Sequence, residues 1–358
     1  MGLRLLYLSN FGAPILEQSG TRTSSPISRI SDLGGFMNKK NDVHFPLIHN
    51  GMDYLVTVGE ALRAVDQARG MKYAVLSLYA ATELLLKWPL MQQDWRLVAL
   101  PHPNETELCG EQEFRGGHCP SIGLGQARQR LRDELDIKVP GPAKKAIDHL
   151  IQHRNRLQHF EMTAQVEMVK ARTEKVLSFL LDFVHDHLRR FLDPSQTEHV
   201  DEQLAVVRDV LHEMETFVAT RMQLLQSRLQ GAGPVVECPE CGQGAAVVEA
   251  YETTTRCLFC HSSWDSEAAG RVYADPWGIA SYEAGKQGGD DPVLNCPECD
   301  LRTFVRDVKL VGAVSPVDFC FNCAEQFATM GLCHNGCGTP AREDFCPECH
   351  GILFSRFD

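Results

Sequence analysis

The chain has 358 residues, 14 of them cysteine, and a formal net charge of −12. That length exceeds one ordinary core, and no uninterrupted apolar run reaches the roughly 18 residues of a membrane span. The acid excess is local: residues 233–358 carry 8 Lys and Arg against 19 Asp and Glu, whereas residues 1–232 carry 27 against 28. An acidic surface repels phosphate backbones, which argues against the cysteine-rich half as a simple nucleic-acid binder.

Residues 1–36 are rich in Ser, Gly and Thr without a sustained period, and their short apolar run lacks the cleavage pattern of a signal peptide. Met37 opens a stretch that looks like a natural start, so 1–36 is expected to be a disordered or mis-called upstream extension. From residue 51 to 230 apolar residues recur at three- and four-residue steps, the pattern of an all-α bundle. Helices are expected over 52–69, 71–92, 123–136, 143–160, 163–191 and 196–230, with a long loop over 100–121. The last of these helices places Val200, Leu204, Val207, Leu211, Met214, Val218 and Leu225 near a heptad seam, suited to core packing or to a dimer contact.

Beyond Gly231 the sequence turns to short strands, turns and cysteine knuckles. Twelve cysteines form six close pairs, which combine into Cys238, Cys241, Cys257 and Cys260, then Cys296, Cys299, Cys320 and Cys323, then Cys333, Cys337, Cys346 and Cys349. Fifteen residues separate the pairs of the first set and twenty those of the second, both in the range of a four-thiolate zinc ribbon; the third, with eight, is tighter. A disulfide ladder would need an export signal. Three zinc ions per chain are therefore expected, structural because four sulfurs leave no open position. His261, His334 and His350 stand beside ligands as bystanders. Cys109 and Cys119, with His102 and His118 nearby, are expected as isolated thiols rather than a fourth site.

The division is then a bundle over 37–195, a long helix over 196–232, a ribbon over 233–270, a linker over 271–292, and ribbons over 293–326 and 327–358. The charge and the reduced thiols suit a cytoplasmic protein without a membrane anchor.

In the helix over 143–160 the apolar stripe is Ile147, Leu150, Ile151 and Leu157. Arg154 falls on that stripe with Asn155 beside it, and an inward guanidinium signals a buried polar network or a functional cleft. His159 shares a face with Asn155 and lies about 140° around the helix from Arg154. His149 and His153 are expected to be solvated, and Glu83 with Lys87 to form a surface ion pair.

The run Arg154-Asn155-Arg156-Leu157-Gln158-His159, with the earlier helix over 80–87, resembles the HEPN superfamily across roughly residues 37–193. The resemblance implies a metal-independent ribonuclease, often a toxin or bacterial antiviral defence effector, acting as a homodimer that pairs two motifs. Arg154, Asn155 and His159 would be its catalytic residues, RNA its substrate, and the zinc ribbons would recognise the substrate or a protein partner. The alternative is a non-catalytic dimeric scaffold whose ribbons make protein contacts.

Overall fold

The computed structural model describes residues 45–354 apart from 65–66, 253, 276–277, 279–281, 283–285, 287–290, 329, 336, 338 and 342–343. The extension expected over 1–36 lies outside the described residues.

Helices α1 (Leu47–Leu62) and α2 (Gln67–Gln93) form a close pair. At Gly70 an added Cβ would stand 2.4 Å from the Ala61 carbonyl oxygen, so this crossing needs glycine. The longer helix is the hub of the bundle, touching α1, α4 (Leu124–Leu135), α5 (Gly141–His159) and α6 (Val166–Phe183). By length and composition α2 could cross a membrane, but most of its apolar stretch is buried inside the bundle.

Between α2 and α4 the expected loop contains a short helix, α3 (Glu111–Arg115), and its base is closed by a bridge between Ala99 and Ser121. Cys109 and Cys119 are disulfide-bonded across it, with Cα atoms 6.5 Å apart. Isolated thiols are thus corrected: α3 folds the loop back and brings together two cysteines whose spacing matches no knuckle.

The helix expected over 163–191 starts at Val166 and loosens after Phe183 into a π turn (Val184–Leu188) and a 3₁₀ turn (Arg189–Phe191). α7 (Pro194–Leu211) begins at Asp193, whose carboxylate accepts from the Gln196 amide at 2.9 Å while Pro194 supplies the preset φ of the first turn. The single helix expected over 196–230 is in fact two, because the chain breaks before α8 (Glu215–Gln230). Its heptad positions Val200, Leu204, Val207, Leu211 and Leu225 are buried within the chain itself, so the seam is a core stripe.

The first cysteine module is a four-stranded antiparallel sheet, β1 (Val235–Val236), β2 (Ala246–Val247), β3 (Thr254–Cys257) and β4 (Ser263–Asp265). A helix the sequence reading did not foresee follows, α9 (Ser266–Ala274), capped by Asp265 and packed on the second module. That module is the antiparallel sheet β5 (Leu294–Asn295), β6 (Arg302–Val308), β7 (Val317–Cys320) and β8 (Gln326–Phe327). The two modules are joined just past the end of β6, where Val236 bridges Leu310 and the Val311 amide donates to the Val235 carbonyl at 2.8 Å. The third module is the pair β9 (Gly331–Leu332) and β10 (Pro340–Ala341), followed by a second unforeseen helix, α10 (Pro347–Phe354). One buried cluster runs from the helices through Val236, Ala246 and Phe259 of the first module to Val305, Phe319 and Phe321 of the second.

Candidate functional site

The twelve paired cysteines come together as three groups of four, with the sulfurs of each group within 4.8 Å of one another. Cys238 and Cys260 are 3.7 Å apart and Cys241 and Cys257 3.8 Å; Cys296–Cys323, Cys299–Cys320 and Cys337–Cys346 are each 3.7 Å. A tetrahedron with metal–sulfur bonds of about 2.3 Å has edges of about 3.75 Å, so the spacing is that of a four-thiolate metal site.

Four of the knuckles share one backbone design. The residue after the second cysteine is left-handed in each, Gly242 at φ 67°, His261 at 63°, Asp300 at 57° and Ala324 at 58°. Its amide donates back to the carbonyl of the first cysteine, at 2.8 to 3.0 Å. This turn aims further amides at sulfur: those of Asn322 and Cys323 lie 3.4 Å from the Cys320 Sγ. Such N–H groups stabilise a thiolate, the form that binds metal.

The first module is gripped by the bundle through a residue the sequence reading passed over. Arg221 on α8 is fully buried. Its Nε donates to the Phe259 carbonyl at 2.8 Å and one Nη to the Leu258 carbonyl at 3.1 Å, both in the knuckle between Cys257 and Cys260. The remaining donors reach the Ser178 carbonyl and hydroxyl and the Asp182 carboxylate at 2.7 to 2.9 Å. Asp182 also bonds His261 at 3.0 Å, and His261 stacks on His185 of the π turn with centroids 4.3 Å apart. Burial alone would raise the Asp182 carboxyl, but the His261 hydrogen bond and the Arg221 charge outweigh it and hold it at about 2. His261 stands outside the four-sulfur group and links the knuckle to the bundle. His334 is exposed, near Asp344 at 3.6 Å.

At the other candidate site, the final turns of α5, the inward position is shared differently than expected. His153 is the buried residue and its ring lies 3.1 Å from an Arg172 Nη, which corrects the solvated histidine of the sequence reading. Arg154 is only half-buried. Its guanidinium lies over the Tyr79 ring at 4.6 Å and donates to the Asn155 Oδ1 at 3.0 Å. His159 is exposed on the last turn beside Phe160, and among the described residues no hydrogen bond joins it to Arg154 or Asn155.

Tyr79 ties Arg154 to α2. Burial and then the Glu83 carboxylate push the Tyr79 phenol up, with Arg154 opposing. Glu83 accepts from the Lys87 Nζ at 2.5 Å, which also reaches the Ser121 Oγ at 3.0 Å. Lys87 is 5% exposed, so the expected surface ion pair is instead one end of a partly buried polar chain. No family model, curated protein or solved structure matches the chain.

Proposed function

We propose that the protein is a metal-independent endoribonuclease of HEPN type, a bacterial toxin or defence effector that works as a homodimer. The observation that carries this reading is Arg154, held by the Tyr79 ring and Asn155 at a helix end without an ion-paired carboxylate among the described residues. A guanidinium placed this way is available to a phosphate.

In the proposed reaction the RNA 2′-hydroxyl attacks the adjacent phosphorus and the bond to the 5′-oxygen breaks, leaving a 2′,3′-cyclic phosphate and a 5′-hydroxyl. His159 takes the hydroxyl proton, or returns one to the leaving oxygen, with Arg154 stabilising the charge on phosphorus and Asn155 orienting the pair. Because Arg154 and His159 do not meet within one chain, a second copy supplies the partner motif.

The test uses single-stranded RNA in the presence of a chelator. His159→Ala and Arg154→Ala should each lose on the order of a hundredfold or more in rate while keeping the wild-type circular dichroism. DNA should stay whole because it lacks the attacking hydroxyl. Equal cleavage of DNA overturns the chemistry, and a wild-type protein that leaves every RNA intact while binding a protein partner selects the scaffold reading.

The metal we assign to the three sites is zinc, in a structural role, since four sulfurs complete its tetrahedron. Metal analysis should find three equivalents of zinc per chain; fewer than two, or an iron-thiolate absorption, overturns it. The acidic modules then serve protein docking rather than direct RNA contact. Twelve thiolates kept for metal support a reducing, cytoplasmic compartment in this reading, and the Cys109–Cys119 bond runs against it.

A further inference from the structure

A cavity of about 440 Å³ opens between the end of α1, the start of α2, α6 and α8, away from the cysteine groups and the α5 motif. Leu62, Met71 and Ala171 give it apolar walls, and its polar lining is Gln67, Glu167, Lys170, Glu174, Thr216 and Thr220. A volume of several hundred Å³ suits a small-molecule site.

Glu174 is the unusual member. It is 1% exposed, yet among the described residues no Lys, Arg or His forms an ion pair with it. The Thr216 hydroxyl donates to one carboxylate oxygen at 2.7 Å and the Thr220 hydroxyl to the other at 3.1 Å. Each oxygen keeps a lone pair, and among the described residues no cationic side chain lies within ion-pair distance of the carboxylate. A carboxylate buried in this way is costly, and a cation with hydrogen-bond donors is what offsets the cost. Lys170, one turn earlier on α6, also lines the cavity but does not pair with Glu174; Glu167 gives the lining a net negative charge.

We infer that this cavity is a binding site for a small organic cation, a protonated amine or amidinium carried on an apolar body, whose charged end is received by Glu174. The hydroxyls of Thr216 and Thr220 fix the carboxylate, and the apolar walls take the body of the ligand. The site is independent of the ribonuclease reading, since no residue of the α5 motif lines it.

The experiment titrates the purified full-length chain with phenethylamine and benzamidine by calorimetry and thermal shift, with phenethyl alcohol and 3-phenylpropionate as uncharged and anionic matches. One equivalent of either cation should bind and raise Tm, and the alcohol and the carboxylate should bind at least about tenfold more weakly. Glu174→Gln has nearly the same shape and can keep both threonine contacts, so it should fold and weaken cation binding by about tenfold or more. Ala171→Phe, which fills the cavity and leaves the carboxylate in place, should block binding as well and serves if Glu174→Gln is unstable. Cations that fail to bind, bind Glu174→Gln and Ala171→Phe as well as wild type, or yield to the anion through Lys170, each overturn the inference.

Discussion

His153 and Arg154 are neighbours on α5 that serve different partners. The helix sits between α2 and α6, and the inward arc is wide enough for both positions. His153 turns to α6 and Arg172, and Arg154 to α2 and Tyr79. Periodicity located the arc but could not tell which edge would be covered, because that depends on where α6 crosses. Burial, followed by the charges of Arg172, His149 and Arg156, holds the His153 imidazole below its ordinary range. A histidine kept neutral in the folded state contributes stability that is complete above the unfolded value of about 6.5. That contribution is lost as pH falls through this value toward the folded one. The wild-type Tm should therefore decline between about pH 7 and pH 5, and His153→Gln should reduce the slope over that interval. Thermal melts at stepped pH decide it; identical slopes would mean that His153 ionises as freely folded as unfolded.

Arg221 shows what a helix can hide in an otherwise readable pattern. Val218 and Leu225 belong to the heptad seam, and the position between them is Arg221, three residues after the first and four before the second. A charge at the core position of an apolar seam was the available signal of a buried network. What the sequence could not reveal was the destination, because Ser178, Asp182 and the Leu258 and Phe259 carbonyls come from elements 37 to 43 residues away. The knuckles themselves were legible, since two cysteines three apart must share a turn to meet one metal. The helices α9 and α10 were missed because each is short and follows a cysteine pattern that dominates its neighbourhood. Replacing Arg221 by Met nearly keeps the volume but takes the buried charge from Asp182, which retains His261 and Arg228, and the donor from two knuckle carbonyls. Removal of one partner of a buried pair costs about 3–5 kcal/mol, so Arg221→Met should lower unfolding stability by that order. It should also speed release of metal from the first site in chelator competition. Denaturant titration with unchanged stability would show that the arginine is replaceable by packing alone.

Across the whole molecule, the three metal sites differ in how much of the fold depends on them. The first and second modules share the buried cluster of the bundle and are bridged to each other by Val236 and Leu310. Tyr251 adds a second tie, its amide donating to the Asn322 carbonyl of a second-module knuckle at 2.7 Å. The third module has a small cluster of its own, Cys333, Cys346 and Cys349 with Ala341 and Phe345, and its Cys337 is exposed. A module with so little apolar area owes its fold to the metal, whereas the first two retain contacts with a large core when a metal ion leaves. Local opening is easiest where buried contacts are fewest. A chromogenic chelator should therefore remove one equivalent of metal quickly and two slowly. Alkylation followed by peptide mapping should mark Cys333, Cys337, Cys346 and Cys349 in the fast phase, with helical circular dichroism unchanged. Cysteines of the first site, of which only Cys241 is less than fully buried, should be marked last. If Cys238 or Cys257 reacts in the fast phase, the grip of Arg221 and the shared core does not protect that site, and the order of stabilities argued from burial fails.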